Sequence, residues 1–467
     1  MFKTIDQRWL AFIILCLGTL MEVLDTTIVN VALPSIRTQL HFSESNLAWV
    51  INAYLLTFGG FLLLGGKLGD LYGQRKLFII GISLFTAASL TCGVSQSQTV
   101  LIIARAIQGL GGAVTAAVSL SLVMNLFTKP DERARAMGYF GFIAAGGGAI
   151  GVLLGGFLTN SFDWHWNFLI NVPIGIAVIA LSQKLLPSTR IDVKHRHLDI
   201  AGAVTVTSSL LLAVYAIVNG NQAGWLSMQT ISLLGISLIL LAIFLWIESH
   251  VRAPLMPLML FKLRNVSVAN IVAVLWAAGM FAWFFLSALY LQLVLHYSPL
   301  QVGLAFLPAN LIMAVFSLGL SAKLVLRFGI KKPLAYGLAL AAIGLLLYVR
   351  APVNGNFIFD VLPSMILLGL GAGAAFNPML LAAMNDVPPD ESGLASGIVN
   401  TAFMMGGSLG LAILASIAAF QTNSLLASGQ SQMEALTGGY HGAFLFGAIF
   451  AGLAALLSAT MLRVARK

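Results

Sequence analysis

Apolar residues run through this chain in long stretches broken by short polar segments, the pattern of helices that cross a bilayer. A spanning helix needs about 20 apolar residues. On that rule fourteen candidates fall near 9–33, 47–66, 77–94, 99–124, 136–158, 167–186, 199–219, 228–248, 265–295, 300–321, 333–350, 357–383, 397–420 and 441–463. The stretch 265–295 is long enough to include an interfacial turn. A transmembrane β-barrel would instead alternate weakly over short segments. The connections are too short for a soluble domain. The longest expected outward loop, 421–440, is rich in Ser, Gly and Gln and reads as a mobile surface.

Composition strengthens this reading. The 467 residues are 59% hydrophobic and 9% charged, against about 25% charged in a soluble domain. The net charge of +9 does not point to nucleic acid, because the basic residues are scattered singly between apolar runs. With the N-terminus in the cytoplasm, 22 of the 25 Lys and Arg fall on the inner side. Only Arg37 and Arg350 face outward, and Arg105 lies within a helix. A missed or extra helix would scramble this partition, so it supports both the helix number and two cytoplasmic termini. Lys3 and Arg8 precede the first apolar run, but Glu22 and Asp25 follow inside it; the segment reads as an uncleaved first helix. Cys16 and Cys92 read as buried small residues.

A faint repeat divides the chain. Gly66-Lys67-Leu68-Gly69-Asp70-Leu71-Tyr72-Gly73-Gln74-Arg75-Lys76 is echoed 256 residues later by Ala322-Lys323-Leu324-Val325-Leu326-Arg327-Phe328-Gly329-Ile330-Lys331-Lys332. Two six-helix bundles, 1–186 and 265–467, fit this spacing, with linkers and two inserted helices in 187–264. Duplicated bundles with a cavity at their interface are a transporter architecture.

Several motifs then carry a resemblance. The first loop of the repeat is similar to the Gly-x-Leu-x-Asp-x-x-Gly-x-Arg-Lys signature of the major facilitator superfamily. Helix 1 ends Leu24-Asp25-Thr26-Thr27-Ile28-Val29-Asn30-Val31-Ala32-Leu33-Pro34, and helix 4 carries Arg105-Ala106-Ile107-Gln108-Gly109-Leu110-Gly111. Both resemble motifs of the fourteen-helix drug:proton antiporters, as does Asn171-Val172-Pro173-Ile174-Gly175. Two positions depart from the pattern. In the helix-5 antiporter motif, Gly147, Gly151, Gly155 and Gly156 are kept but Val152 replaces the proline, and His165 stands where Arg is usual. The resemblance implies an all-helical major facilitator fold that exports small lipophilic compounds, cationic or neutral, against a proton gradient by alternating access. It implies a bacterial inner-membrane location and no cofactor.

The candidate chemistry sits in few residues. Glu22 and Asp25 are both embedded in helix 1, where each carboxylate costs about 2.5–3.5 kcal/mol. Their i, i+3 spacing puts them on one face. The resemblance favours Asp25 as a proton or cation site, with Glu22 as a second acid or a substrate contact. Arg105 stays charged when buried and needs an anion; it either pairs permanently with a carboxylate or switches that contact during transport. The match of Gly66, Asp70, Gly73, Arg75 and Lys76 to the signature implies a cytoplasmic latch. The helix-5 glycines let helices approach closely, in a contact expected to slide. Asn30, Asn52, Tyr54, Gln108, Asn310, Asn377 and Asn400 are candidates for the cavity wall. The aromatics Trp276, Phe281, Trp283, Phe284, Phe285 and Tyr290 run around helix 9, so most are expected to face lipid. The seven histidines, including His195 and His197, show no metal spacing. No phosphate-binding loop is present to support ATP drive. Protons, a small-molecule substrate and the bilayer are the expected partners of a monomer. A second transport reading is export of an endogenous metabolite, such as a siderophore or amino-acid derivative. A membrane enzyme would need a nucleophile, base or metal cluster, and a sensor would add a soluble domain; neither feature is visible.

Overall fold

The computed structural model describes residues 7–127, 129–187, 198–252, 254–388 and 391–463. Lys3, Arg190, Lys194, Arg196, Arg466, Lys467, His195 and His197 lie outside the described residues. Fourteen long helices run through the described part: α1 (Gln7–Leu40), α2 (Trp49–Tyr72), α3 (Gln74–Gly93), α4 (Gln98–Leu126), α5 (Pro130–Ser161), α6 (Asn171–Leu185), α7 (Ile200–Ala223), α8 (Met228–His250), α9 (Arg264–Leu289), α10 (Pro299–Val315), α11 (Lys331–Tyr348), α12 (Leu362–Met384), α13 (Ser392–Ala427) and α14 (Gln432–Met461). All but α5 form part of thirteen spans long and apolar enough to cross a membrane. The 32-residue α5 lies against α1 and α10.

The helices outrun the apolar stretches that announce them. The expected outward loop 421–440 is instead mostly helix, for α13 continues to Ala427 and α14 begins at Gln432. The reason is local: Ser431 and Glu434 form a capping box at the start of α14, so helix begins nine residues before the expected 441. A hydropathy rule finds the hydrocarbon-spanning core of a helix and misses the polar turns beyond it. The long stretch at 265–295 holds no break before its end: α9 continues directly into a π-helical segment at Tyr290–Val294, within one span of 31 residues.

Helices α1–α6 pack among themselves, as do α9–α14. The two bundles meet along two seams, α2 with α13 and α5 with α10. The repeat reappears as geometry. Gly73 ends α2 with φ 99°, and Gly329 ends the helical segment Ser321–Phe328 with φ 75°. Both sit in the left-handed region that glycine enters without a Cβ clash.

The inserted pair has a definite place. Helix α7 lies against both α2 and α13, covering that seam, and α8 packs on α7. Hydrogen bonds hold the pair inside the apolar layer. Ser209 Oγ donates to Ser237 O at 2.7 Å and Ser237 Oγ returns to Ser209 O at 2.8 Å. Near the outer end, Asn221 Nδ2 donates to Ser416 O at 2.8 Å and Ser416 Oγ to Ile217 O at 2.9 Å. In lipid, packing and such bonds replace the hydrophobic drive for helix association.

The aromatics of α9 do not face lipid. Trp276, Trp283, Phe284, Phe285 and Tyr290 are all buried and only Phe281 is partly exposed. Helix α9 packs against α13, α14, α12 and α1, and these aromatics sit on the faces so covered.

Candidate functional site

Asp25 is the hub of a buried polar cluster inside the N-terminal bundle. It is fully buried, and its Oδ2 accepts from Arg105 Nη1 in an ion pair between α1 and α4. Its Oδ1 accepts from Gln108 Nε2 at 2.7 Å and from Asn171 Nδ2 at 3.1 Å. Three helices are thereby tied to one carboxylate. Arg105 is satisfied elsewhere as well: Nε donates to Val50 O at 2.9 Å and Nη1 to Gln108 Oε1 at 2.7 Å. Its guanidinium also lies 4.5 Å from the centre of the Tyr54 ring and 5.7 Å from that of Phe168. Gln108 completes its bonding with Ser89 Oγ at 2.8 Å.

Local sequence explains this convergence. In the helix-4 motif, Arg105 and Gln108 stand one turn apart and face the cluster together. The glycines that follow bring the neighbours in. A Cβ at Gly109 would stand 2.3 Å from Tyr54 O, and one at Gly111 would stand 2.6 Å from Phe85 N and 2.8 Å from Gly81 O. Because those neighbours are backbone atoms, Gly111→Ala must force α3 and α4 apart. We expect it to cost about 1–3 kcal/mol, read as a lower melting temperature of the purified protein.

Glu22 stands one turn from Asp25 but outside the cluster. It is 6% exposed, and its Oε1 is buried without a hydrogen-bond partner. The hydroxyl of Tyr54 is likewise buried without a partner. Among the described residues, the embedded groups therefore divide into an Asp25–Arg105 ion pair and one further carboxyl with no cation of its own.

The remaining candidates separate. Asn30, Asn310 and Asn400 donate back to their own helices, to Thr26 O, Phe306 O and Ser396 O. Asn310 Oδ1 lies beside Gly148 across the α5–α10 seam. Asn52 is fully buried in the other seam, where it accepts from Ser408 Oγ at 3.1 Å. Asn377 is partly exposed on α12. Tyr54 and Gln108 belong to the Asp25 cluster.

The helix-5 glycines have two different jobs. Gly147, Gly151 and Gly155 face α1 at i, i+4 spacing; a Cβ at Gly155 would stand 2.7 Å from Ile28 O. Gly156 instead faces the other bundle, where its Cβ would stand 2.7 Å from Pro299 O. Opposite, a Cβ at Gly303 would stand 2.5 Å from the carbonyl of Val152, the residue that replaces the motif proline. With Gln292 Nε2 donating to Val31 O at 2.8 Å, these contacts close the outer ends of the bundles on one another.

At the cytoplasmic end, the residues expected to form a latch make no described bond to the second bundle. Asp70 and Lys76 are exposed, and a Cβ at Gly66 would meet nothing within 4 Å. Arg75 Nη2 donates to Gln183 O of α6, within its own bundle. Among the described residues, no hydrogen bond or ion pair joins Asp70, Arg75 or Lys76 to α9–α14. Among the described residues, the bundles are thus joined at their outer ends, while Asp70, Arg75 and Lys76 make no bond across to the second bundle. Sequence reasoning missed Asn171 and Ser89 as members of the Asp25 cluster; Asn171 was visible only as the first residue of the Asn-Val-Pro-Ile-Gly motif.

Comparisons with known proteins agree with this geometry. The family model described as Major Facilitator Superfamily matches residues 15–411. The chain is 36% identical to the puromycin resistance protein of Streptomyces alboniger, over 93% of this chain and 87% of that one. It is 34% identical to the cephamycin export protein of Amycolatopsis lactamdurans, over 98% and 93%. It is 35% identical to a multidrug resistance protein of Mycobacterium tuberculosis, over 86% and 74%. Among solved structures, an auto-inhibited POT-family peptide transporter superposes with a TM-score of 0.70 at 17% identity, covering 98% of this chain and 97% of that one. The xylose transporter of E. coli, partially occluded and inward open, superposes with 0.63 at 16%, covering 96% of each. Helix order, paired bundles, motif positions and these matches lead to one conclusion: the chain belongs to the Major Facilitator Superfamily and is a multi-pass integral protein of the bacterial plasma membrane.

Proposed function

We propose that this protein exports small lipophilic, cationic or neutral compounds in exchange for protons. The observation that carries the exchange is the isolated carboxyl of Glu22. Arg105 already neutralises Asp25, and Glu22 Oε1 has no donor from the protein. A buried carboxylate without a partner is expensive. Glu22 is therefore occupied either by a proton or by a cation from the cavity. Competition between the two at one carboxyl is antiport: the proton displaces the compound on the outer side, and the compound displaces the proton on the inner side. Asp25, one turn away, couples this occupancy to shape, because its ion pair with Arg105 exists only while it is charged. Asp70, Gly73, Arg75 and Lys76 form the latch that engages when the inner side closes. The resistance and export named for the relatives support the outward direction.

The test is simultaneous measurement of ethidium efflux and proton movement in inverted vesicles energised by respiration. Wild type is expected to move both. Glu22→Gln leaves the Asp25–Arg105 pair in place, so it should insert and melt normally yet lose proton-coupled ethidium exchange. Normal exchange by a well-expressed Glu22→Gln protein would overturn the role given to Glu22. If folded wild type moves neither species, the drug reading falls. A metabolite screen then decides whether the cargo is an endogenous compound.

A further inference from the structure

A second pair of buried carboxyl groups lies at the cytoplasmic ends of the inserted helices, on different elements from Asp25. Asp199 caps α7, its Oδ1 accepting from Gly202 N at 2.7 Å. Glu248 stands in the last turn of α8, its Oε2 accepting from Met256 N at 3.0 Å. Each residue is 3% exposed. Each keeps a second oxygen, Asp199 Oδ2 and Glu248 Oε1, that is buried and receives no N–H or O–H from the protein. Ser209 and Ser237 bond α7 to α8 ten residues after Asp199 and eleven before Glu248, so the antiparallel pairing of the helices sets the two carboxyl groups side by side.

One cation faces them both. Lys67, in the signature loop of α2, donates to Pro254 O and lies in the field of both acids. Among the described residues, the other ionisable groups nearby in the chain, His250 and Arg252, are exposed; Lys194, His195, Arg196 and His197 lie outside the described residues. Leu64, Ala203 and Leu255 pack together beside the two acids, with Phe61, Leu68 and Leu198 against them, while Lys67 is partly exposed. For the buried carboxyl groups, net charge decides what is stable. Among the described residues, two carboxylates and one ammonium leave a net charge of −1 and two buried oxygens without a hydrogen. One added proton cures both faults: the trio becomes neutral and the hydrogen fills the gap between the oxygens.

We propose that Asp199 and Glu248 share a single proton and, with Lys67, form a second protonation site at the cytoplasmic face, separate from Glu22 and Asp25. The site fastens α7 and α8 to the end of α2 that carries the latch. Loss of its proton leaves a charge that only water can stabilise, so the apolar packing beside it opens and the signature segment is released from the inserted pair. Occupancy of the site follows cytoplasmic pH, because the cluster lies at the inner ends of all three helices.

Infrared difference spectroscopy on the purified full-length protein tests this without any transport assay. A shared proton means that wild type holds one carboxylic acid and one carboxylate here. Glu248→Gln should then lose the C=O band of one carboxylic acid, shifted in D2O, with carboxylate intensity unchanged. Asp199→Asn should do the same and keeps a good helix cap, so it serves if Glu248→Gln fails to fold. Lys67→Met removes the cation and should gain one carboxylic acid band. If both amide variants instead lose carboxylate intensity and no carboxylic acid band, the two acids are both ionised and the proposal is overturned.

Discussion

Asp25→Asn is expected to abolish proton-coupled efflux and also to lower the stability of the purified protein. The double variant Asp25→Asn/Arg105→Gln separates the two effects. Asp25 accepts from Arg105, Gln108 and Asn171, on two other helices. Removing its charge leaves Arg105, 1% exposed, with neutral carbonyl partners only. Breaking a buried pair from one side costs about 3–5 kcal/mol, because the surviving charge is uncompensated, whereas removing both partners costs far less. The single variant should therefore melt early, and the double variant should recover most of the lost stability. Neither should couple efflux to protons, since the group that senses charge is gone from both. Recovery of coupled efflux in the double variant would show that the pair only braces the bundle. Coupled efflux in the single variant would remove Asp25 from the pathway.

The second large effect is expected at Gly156, and its contrast with Gly155 is the informative part. The two are adjacent, but Gly155 packs on α1 of its own bundle and Gly156 on α10 of the other. A valine at Gly155 pushes on Ile28 O in every conformation, so it should lower stability by about 1–3 kcal/mol. A valine at Gly156 clashes with Pro299 O only while the outer ends are closed. It should leave the melting temperature close to wild type and hold the outer face open, stopping the transport cycle. Alkylation of a cysteine placed at Gln292, which bonds Val31 O across the closed face, reads this directly. Labelling from outside should rise in Gly156→Val and not in Gly155→Val. Equal labelling in the two would mean that Gly156 does not gate the outer face.

The parts of this molecule that were legible in the sequence are those where physics leaves a strong local mark. An apolar run must be about as long as the bilayer is thick, so the helices announced themselves. Embedded charges are rare and costly, so Glu22, Asp25 and Arg105 stood out. The start of α14 did not, because its first turns are polar and only the Ser431–Glu434 spacing marks it. Asn171 and Ser89 were missed for a related reason: a neutral polar residue in a helix says nothing of which neighbour it bonds. The burial of the α9 aromatics was misjudged because in a membrane both lipid and protein interior are apolar, so hydrophobicity does not tell one face from the other. Nor does periodicity reveal that Asp199, a helix cap, meets Glu248 some fifty residues later.

The position of α7 has a consequence for how cargo reaches the cavity from the bilayer. Two bundles in lipid have two side openings between them, one along each seam. Helix α7 lies along the seam of α2 and α13 and is bonded there through Asn221 and Ser416, so that side is curtained. Among the described residues, the seam between α5 and α10 carries no such cover, so it is the side on which the two bundles face lipid directly. The fourteen-helix design thus has a front and a back with respect to the lipid around it, a distinction that a bare pair of six-helix bundles lacks.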